Sequence, residues 1–201
     1  MKKWKQIGVI AVAAVMAFAM CACGAKDFDA QGYVKAALDA NYHGEYEEYA
    51  KFRNIDVDKA EAEVADTYAS VFAETAIGGT DEEEKQFQDD MMKCYALTKY
   101  EVGEATKTDD GNYTVTVTYE PATALADFST GMQGYLEENM DSVTQDNYAS
   151  YVLQYLEQCI TDNTFGEKAT MDITVQLDKD AKEYTIPDEQ VQALESAMLG
   201  I

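Results

Sequence analysis

The chain contains one histidine, one tryptophan, two prolines and a single arginine, Arg53. Each scarcity removes a class of chemistry. A His-based triad or dyad would have to be built on His43 alone, and no Gly-x-Ser-x-Gly elbow accompanies it. The sequence has no zinc-protease motif, no phosphate-cradling glycine loop and no dinucleotide fingerprint. Asp56-Val57-Asp58-Lys59 begins like a calcium loop but lacks the glycine and the distal glutamate in register. Asp109-Asp110-Gly111-Asn112 has the chemistry of a tight turn, which accounts for its acids. No catalytic residue, metal-ligand set or cofactor is therefore expected. Positive charge is also scarce: 15 Lys and Arg stand against 38 Asp and Glu, a formal charge of -23. That balance speaks against nucleic acid as a partner, because phosphate contacts depend on Lys and Arg. It equally discourages the domain from lying flat on an anionic membrane. With so many acids some carboxylates must fall close together, so a cell-envelope hydrolase using a carboxylate pair stands as the alternative function, on a signal without specificity.

A membrane-spanning run is missing as well. The apolar stretch from Ile7 to Met20 would rise only about 21 Å as a helix, short of the roughly 30 Å hydrocarbon core. Preceded by Lys2, Lys3 and Lys5, it reads as a signal peptide. Cys21 and Cys23 compete as the processing site. Cleavage before Cys21 would put bulky Met20 where a small residue is wanted, whereas cleavage before Cys23 puts Ala22 there. Met20-Cys21-Ala22-Cys23-Gly24 thus resembles the lipobox of bacterial lipoproteins, which implies a diacylglyceryl thioether on Cys23. The expected divisions are residues 1–22 as signal peptide, 23–27 as lipidated tether and 28–201 as one domain. Processing would remove three lysines and no acids, taking the formal charge from -23 to -26. Two acyl chains hold a protein stably on a bilayer where one is marginal. A tether spanning at most about 3.6 Å per residue keeps the domain near that surface.

Within the domain, Asp29 is a candidate N-cap for a helix with Val34, Ala37 and Leu38 on one face, stopped by Gly44. A short helix is expected over residues 45–53. A longer one opens at Asp56 or Asp58, carries Ala60, Val64, Tyr68 and Phe72, and ends at Gly78-Gly79. Thr80 with Glu83 forms a capping-box pattern for a helix through Phe87, Met91, Cys94 and Tyr95. The period then changes to two. Tyr113, Val115, Val117 and Tyr119 share one strand face, and Asp110-Gly111 turns the hairpin. Helical spacing returns from Leu125 to Met140, then from about Gln145 through Cys159 and Ile160. A second alternation, Met171 to Leu177, turns back to Tyr184 and Ile186, and Pro187 opens a last helix stopped by Gly200. Grouped helices and hairpins give an α+β class, with about four antiparallel strands from two hairpins packed by about six helices. Two helix–hairpin units, about residues 81–120 and 145–186, each carry a cysteine near the helix C-terminus.

Those cysteines, Cys94 and Cys159, remain besides the anchor. A disulfide-permissive compartment makes them a possible pair, and apolar placement suits buried free thiols equally. Fourteen tyrosines are the other excess. Tyr42, Tyr46 and Tyr49 fall at helical spacing, as do Tyr148, Tyr151 and Tyr155. Each set can be the rim of a core or a surface that presents flat faces and polar tips to a ligand. The possible ligand contacts are Tyr148, Tyr151 and Tyr155.

Cys23-Gly24-Ala25-Lys26, Tyr113 to Pro121, and Tyr184-Thr185-Ile186-Pro187 together resemble the uncharacterised small lipoproteins of Gram-positive gut bacteria. The layout is also similar to NTF2-like and cystatin-like folds, common hosts of ligand pockets. The resemblance implies an extracytoplasmic, membrane-anchored surface protein. Its expected role is a non-enzymatic module binding an envelope protein, a glycan or a peptide.

Overall fold

A computed structural model describes residues 28–72, 75–178 and 183–201. The lipobox cysteines and the tether lie outside these residues, as does part of the turn between the last two strands. Ala30–Leu38 form α1, with the Asp29 carboxylate accepting from the Gly32 amide at 2.8 Å. The helix widens into one π-helical turn, Asp39–His43, and stops at Gly44 with φ +67°. There follow α2 (Glu47–Arg53), α3 (Val57–Phe72) and α4 (Asp81–Ala96). The capping box of α4 is formed, Glu83 accepting from the Thr80 amide at 2.9 Å and Thr80 capping the Glu83 amide. Next come β1 (Lys99–Lys107), β2 (Tyr113–Glu120), α5 (Ala124–Glu138), α6 (Tyr148–Thr161), β3 (Ala169–Asp178), β4 (Glu183–Thr185) and α7 (Asp188–Leu199).

The four strands form one antiparallel sheet in the order β1-β2-β3-β4. The α+β class is as the alternating and helical periods indicate. Both hairpins lie in that one sheet because β2 pairs with β3, from Tyr113 against Val175 to Tyr119 against Ala169. The intervening α5 and α6 pack as a pair, and α6 packs on α4 as well. Alternation decides the faces: Tyr113, Val115, Val117 and Tyr119 are buried, while Thr114, Thr116 and Thr118 look partly to solvent. α1 packs across β1 and β2, and α7 contacts β3 and α5.

Two boundaries differ from expectation. α3 spans Val57–Phe72 and does not reach Gly78-Gly79, because Ile77, Gly78 and Gly79 are drawn onto α4. The Glu84 carboxylate accepts from the amides of Ile77, Gly78 and Gly79 at 3.1, 2.7 and 3.0 Å, so these amides are satisfied without a helix. α6 starts at Tyr148 and not at Gln145, because Asn147 closes the preceding loop by accepting from the Thr144 amide at 2.7 Å.

The buried side chains Tyr33, Leu38, Phe87, Met91, Tyr95, Leu156 and Met198 belong to one hydrophobic cluster. Burying each such side chain favours the fold by roughly 1.5–3 kcal/mol. Phe28, the first described residue, stacks on Tyr184 at 4.0 Å, and its amide donates to the Tyr113 hydroxyl at 3.2 Å. The chain therefore enters the domain at the end of the sheet where β2 begins. α5 leaves from the opposite end.

Candidate functional site

Of the three tyrosines singled out as possible ligand contacts, Tyr148 and Tyr155 are half-buried against the core. Tyr151 is half-buried too, and it meets a residue that spacing along one helix cannot reveal: Tyr135 of α5, at 6.2 Å between ring centres. Tyr135 stacks on Tyr155 at 4.7 Å with planes 23° apart, and Tyr155 stacks on buried Phe128 at 6.0 Å. The result is a ladder of rings across the α5–α6 seam, running outward from the core.

Gly131 makes the ladder possible. A Cβ at this position would lie 1.8 Å from the Tyr155 hydroxyl oxygen. The phenol crosses α5 there and donates to the Asp127 carbonyl at 3.1 Å. Burial, the Cys159 thiol and the carboxylates of Asp127 and Glu138 push the Tyr155 hydroxyl up to about 12, so it stays a neutral donor.

The other tyrosine set has a different fate. Tyr42 and Tyr49 are buried, and Tyr46 is half-buried. Tyr42 faces Tyr95 at 6.2 Å, Tyr95 faces Tyr68 at 5.3 Å, and the Tyr68 hydroxyl donates to the Asn41 carbonyl at 2.8 Å. Burial above all, and then the Glu195 carboxylate, hold all three phenols well above their ordinary value. These rings are core.

His43 ends the π-helical turn, and its ring bonds a backbone carbonyl outside its own helix. Its Nε2 lies 3.1 Å from the Thr98 carbonyl, immediately before β1. A carbonyl only accepts, so Nε2 carries the proton. The ring stacks on Tyr100 at 5.0 Å, with Nδ1 3.2 Å from the Tyr100 hydroxyl. Tyr100 in turn donates to buried Asp39 at 2.9 Å, and Lys35 pairs with the same carboxylate. Burial and the Asp39 bond raise Tyr100 well above its ordinary value. The assembly pins the widened turn to β1.

Cys94 and Cys159 come to one interface, that of α4 and α6, as buried free thiols. Burial first, and Cys159 next, push the Cys94 thiol up to about 12, while burial pushes Cys159 up to about 11. Thiolate chemistry at neutral pH is disfavoured at both. Two buried acids are paired, Asp39 by Lys35 and Tyr100 and Asp90 by Lys93 at 2.7 Å, and buried Glu195 acts electrostatically on the core phenols. Among the described residues no group of His, Cys, Asp and Glu is placed to hold a metal ion. Nor is any helix there long and apolar enough to cross a membrane.

Sequence spacing placed Tyr151 and Tyr155 on one helix, but it missed Tyr135 and Gly131. One signal was available: the segment from Lys107 to Lys168 holds no basic residue between them.

No family model matches the chain, and no curated protein matches it. Among solved structures it is similar to a candidate lipoprotein, YcdA, of Bacillus subtilis subsp. subtilis str. 168, with a TM-score of 0.58 and 13% identity. The likeness covers 85% of this chain and 56% of that one, so the chain spans little over half of its neighbour's length. At that identity the likeness is one of fold.

Proposed function

We propose that the chain is a lipid-anchored extracytoplasmic protein, processed at Cys23, whose domain over residues 28–201 binds a partner through the α5–α6 tyrosine face. Two independent features support the anchor. The N-terminal sequence has the charge, length and small-residue pattern of a lipoprotein signal, and the domain shares its fold with a candidate lipoprotein.

The observation that carries the binding role is the Tyr135–Tyr151–Tyr155 ladder: rings that continue a core outward and end half-exposed. Its place in the fold suits the task. The tether of residues 23–27 meets the domain at Phe28, beside the first residue of β2. α5 departs after the last residue of β2, about 23 Å away at roughly 3.3 Å per strand residue. A short tether therefore holds one end of the sheet toward the bilayer, and the chain enters the α5–α6 pair from the other end.

Metabolic labelling with a clickable fatty acid tests the anchor. The protein takes up label and Cys23→Ser abolishes it; a Cys23→Ser chain that remains labelled contradicts the assignment. Deleting the ring faces with Tyr135→Ala and Tyr151→Ala leaves labelling intact, which separates the anchor from the binding face.

A further inference from the structure

Charge is not spread evenly over this fold. α5, α6 and their connection carry Asp127, Glu137, Glu138, Asp141, Asp146 and Glu157 without one lysine, arginine or histidine. Some acids elsewhere are paired locally: Lys35 pairs with Asp39, Arg53 with Glu63 at 3.1 Å, and Lys85 with Asp89 at 2.7 Å. Unlike residues 60–84, another run of acids without a base, this stretch carries the tyrosine ladder.

Along α5, Asp127, Gly131, Gly134 and Glu138 recur at steps of four, three and four, which places them on one stripe. Gly131 is filled by the Tyr155 phenol, whereas a Cβ on Gly134 would meet nothing within 4 Å. The stripe thus reads carboxylate, filled notch, open notch, carboxylate. Tyr135 adjoins the open notch in sequence, and Tyr151 lies against Tyr135. Asp127 and Glu138 act electrostatically on the same Tyr155 hydroxyl, so both carboxylates address the ladder.

We propose that this face docks a basic polypeptide segment, through an arginine or lysine side chain laid on Tyr135 and Tyr151 and answered by Asp127 and Glu138. The inference rests on the reading of the domain as a partner-binding module, and it names the partner's chemistry. Aromatic faces attract cations through their quadrupole, and a planar guanidinium also stacks on them. A neutral glycan would use the rings but leave the carboxylates unanswered, and an anionic partner would be repelled by them.

The test is a titration of the lipidated protein, in nonionic detergent, with acetyl-Gly-Arg-Gly-Arg-Gly-amide and with the same peptide carrying neutral citrulline for arginine. The arginine peptide binds and the citrulline peptide binds at least several-fold more weakly. Tyr135→Ala with Tyr151→Ala weakens binding about tenfold, as loss of two cation–π contacts implies. Tyr135→Phe with Tyr151→Phe retains the ring faces and the affinity, which guards against a folding artefact. Glu138→Gln weakens binding, while removing two acids from the hairpin with Glu104→Gln and Asp109→Asn leaves it unchanged. Equal binding of the two peptides overturns the inference, and so does a hairpin variant as damaging as the ladder variants. A fatty-acid-labelled, folded protein that binds neither peptide overturns it too, and leaves the anchor standing.

Discussion

Two sets of tyrosines occupy opposite situations. Tyr42, Tyr68 and Tyr95 converge from three different segments and are buried together with Glu195. Tyr135, Tyr151 and Tyr155 come from two helices and form a column whose outer members stay half-exposed. Tyr42, Tyr46 and Tyr49 share their helical spacing with Tyr148, Tyr151 and Tyr155, yet Tyr42 and Tyr49 are buried while Tyr151 and Tyr155 are half-exposed, so spacing does not decide the outcome. What decides is the number of elements available to close over the rings. The first set lies where the π-helical turn, α3 and α4 meet, and rings there are covered from several sides. The second lies on a pair of helices inserted between β2 and β3, with solvent on one flank. The same residue type is structural in one place and presented in the other.

The largest expected effect separates them by stability. Tyr95→Ala should cost about 3–5 kcal/mol by chemical denaturation, the usual range for emptying an aromatic site in a core. Tyr151→Ala should cost well under half as much, since a half-exposed ring loses less buried surface. Equal losses would erase the distinction between the two sets.

The two glycines of α5 sharpen it. Gly131→Ala should destabilise by about 1–3 kcal/mol, because the methyl group collides with the Tyr155 hydroxyl that occupies its space. Gly134→Ala should stabilise by about 0.5–1 kcal/mol, since the site is open and alanine is the better helix former. Opposite signs at adjacent turns of one helix are a demanding outcome. They are read from the shift in denaturation midpoint.

Alkaline titration separates the sets chemically. The core phenols bind their protons more tightly in the folded than in the unfolded chain. Stability from this source is therefore complete below the unfolded value near 10.0 and falls as pH rises above it. Absorbance of tyrosinate should show Tyr42, Tyr68 and Tyr95 ionising only together with unfolding, whereas Tyr155 titrates near 12. Non-coincidence of core ionisation with loss of circular dichroism would contradict this.

The smallest effect concerns the thiols. Cys94 and Cys159 in the native protein should resist alkylation and react once it is unfolded. A Cys94–Cys159 peptide in a non-reducing digest of envelope-derived protein would instead show the pair joined across α4 and α6.

Much of the fold was legible because period and caps act locally. The alternation of Tyr113 to Tyr119, the Thr80–Glu83 box and the stops at Gly44 and Gly200 each declare themselves within a few residues. The π-helical turn was not legible, since one extra residue in a helix barely disturbs the apolar pattern and its support, Tyr100, is 61 residues from Asp39. Pairing of β2 with β3 depends on contacts across the whole α5–α6 insertion. The candidate site was half legible for the same reason. Tyr151 and Tyr155 share one helix, but the ladder needs Tyr135 from another, and the role of Gly131 exists only once Tyr155 crosses it.

Site-resolved nitration of tyrosines by tetranitromethane, read by peptide mass with and without the arginine peptide, distinguishes a presented ladder from a buried core. Tyr135 and Tyr151 should be modified in the native protein and protected when the peptide is added, while Tyr42, Tyr68 and Tyr95 stay unmodified throughout. Nitration of the core set at the rate of the ladder, or a ladder that the peptide does not protect, would contradict this.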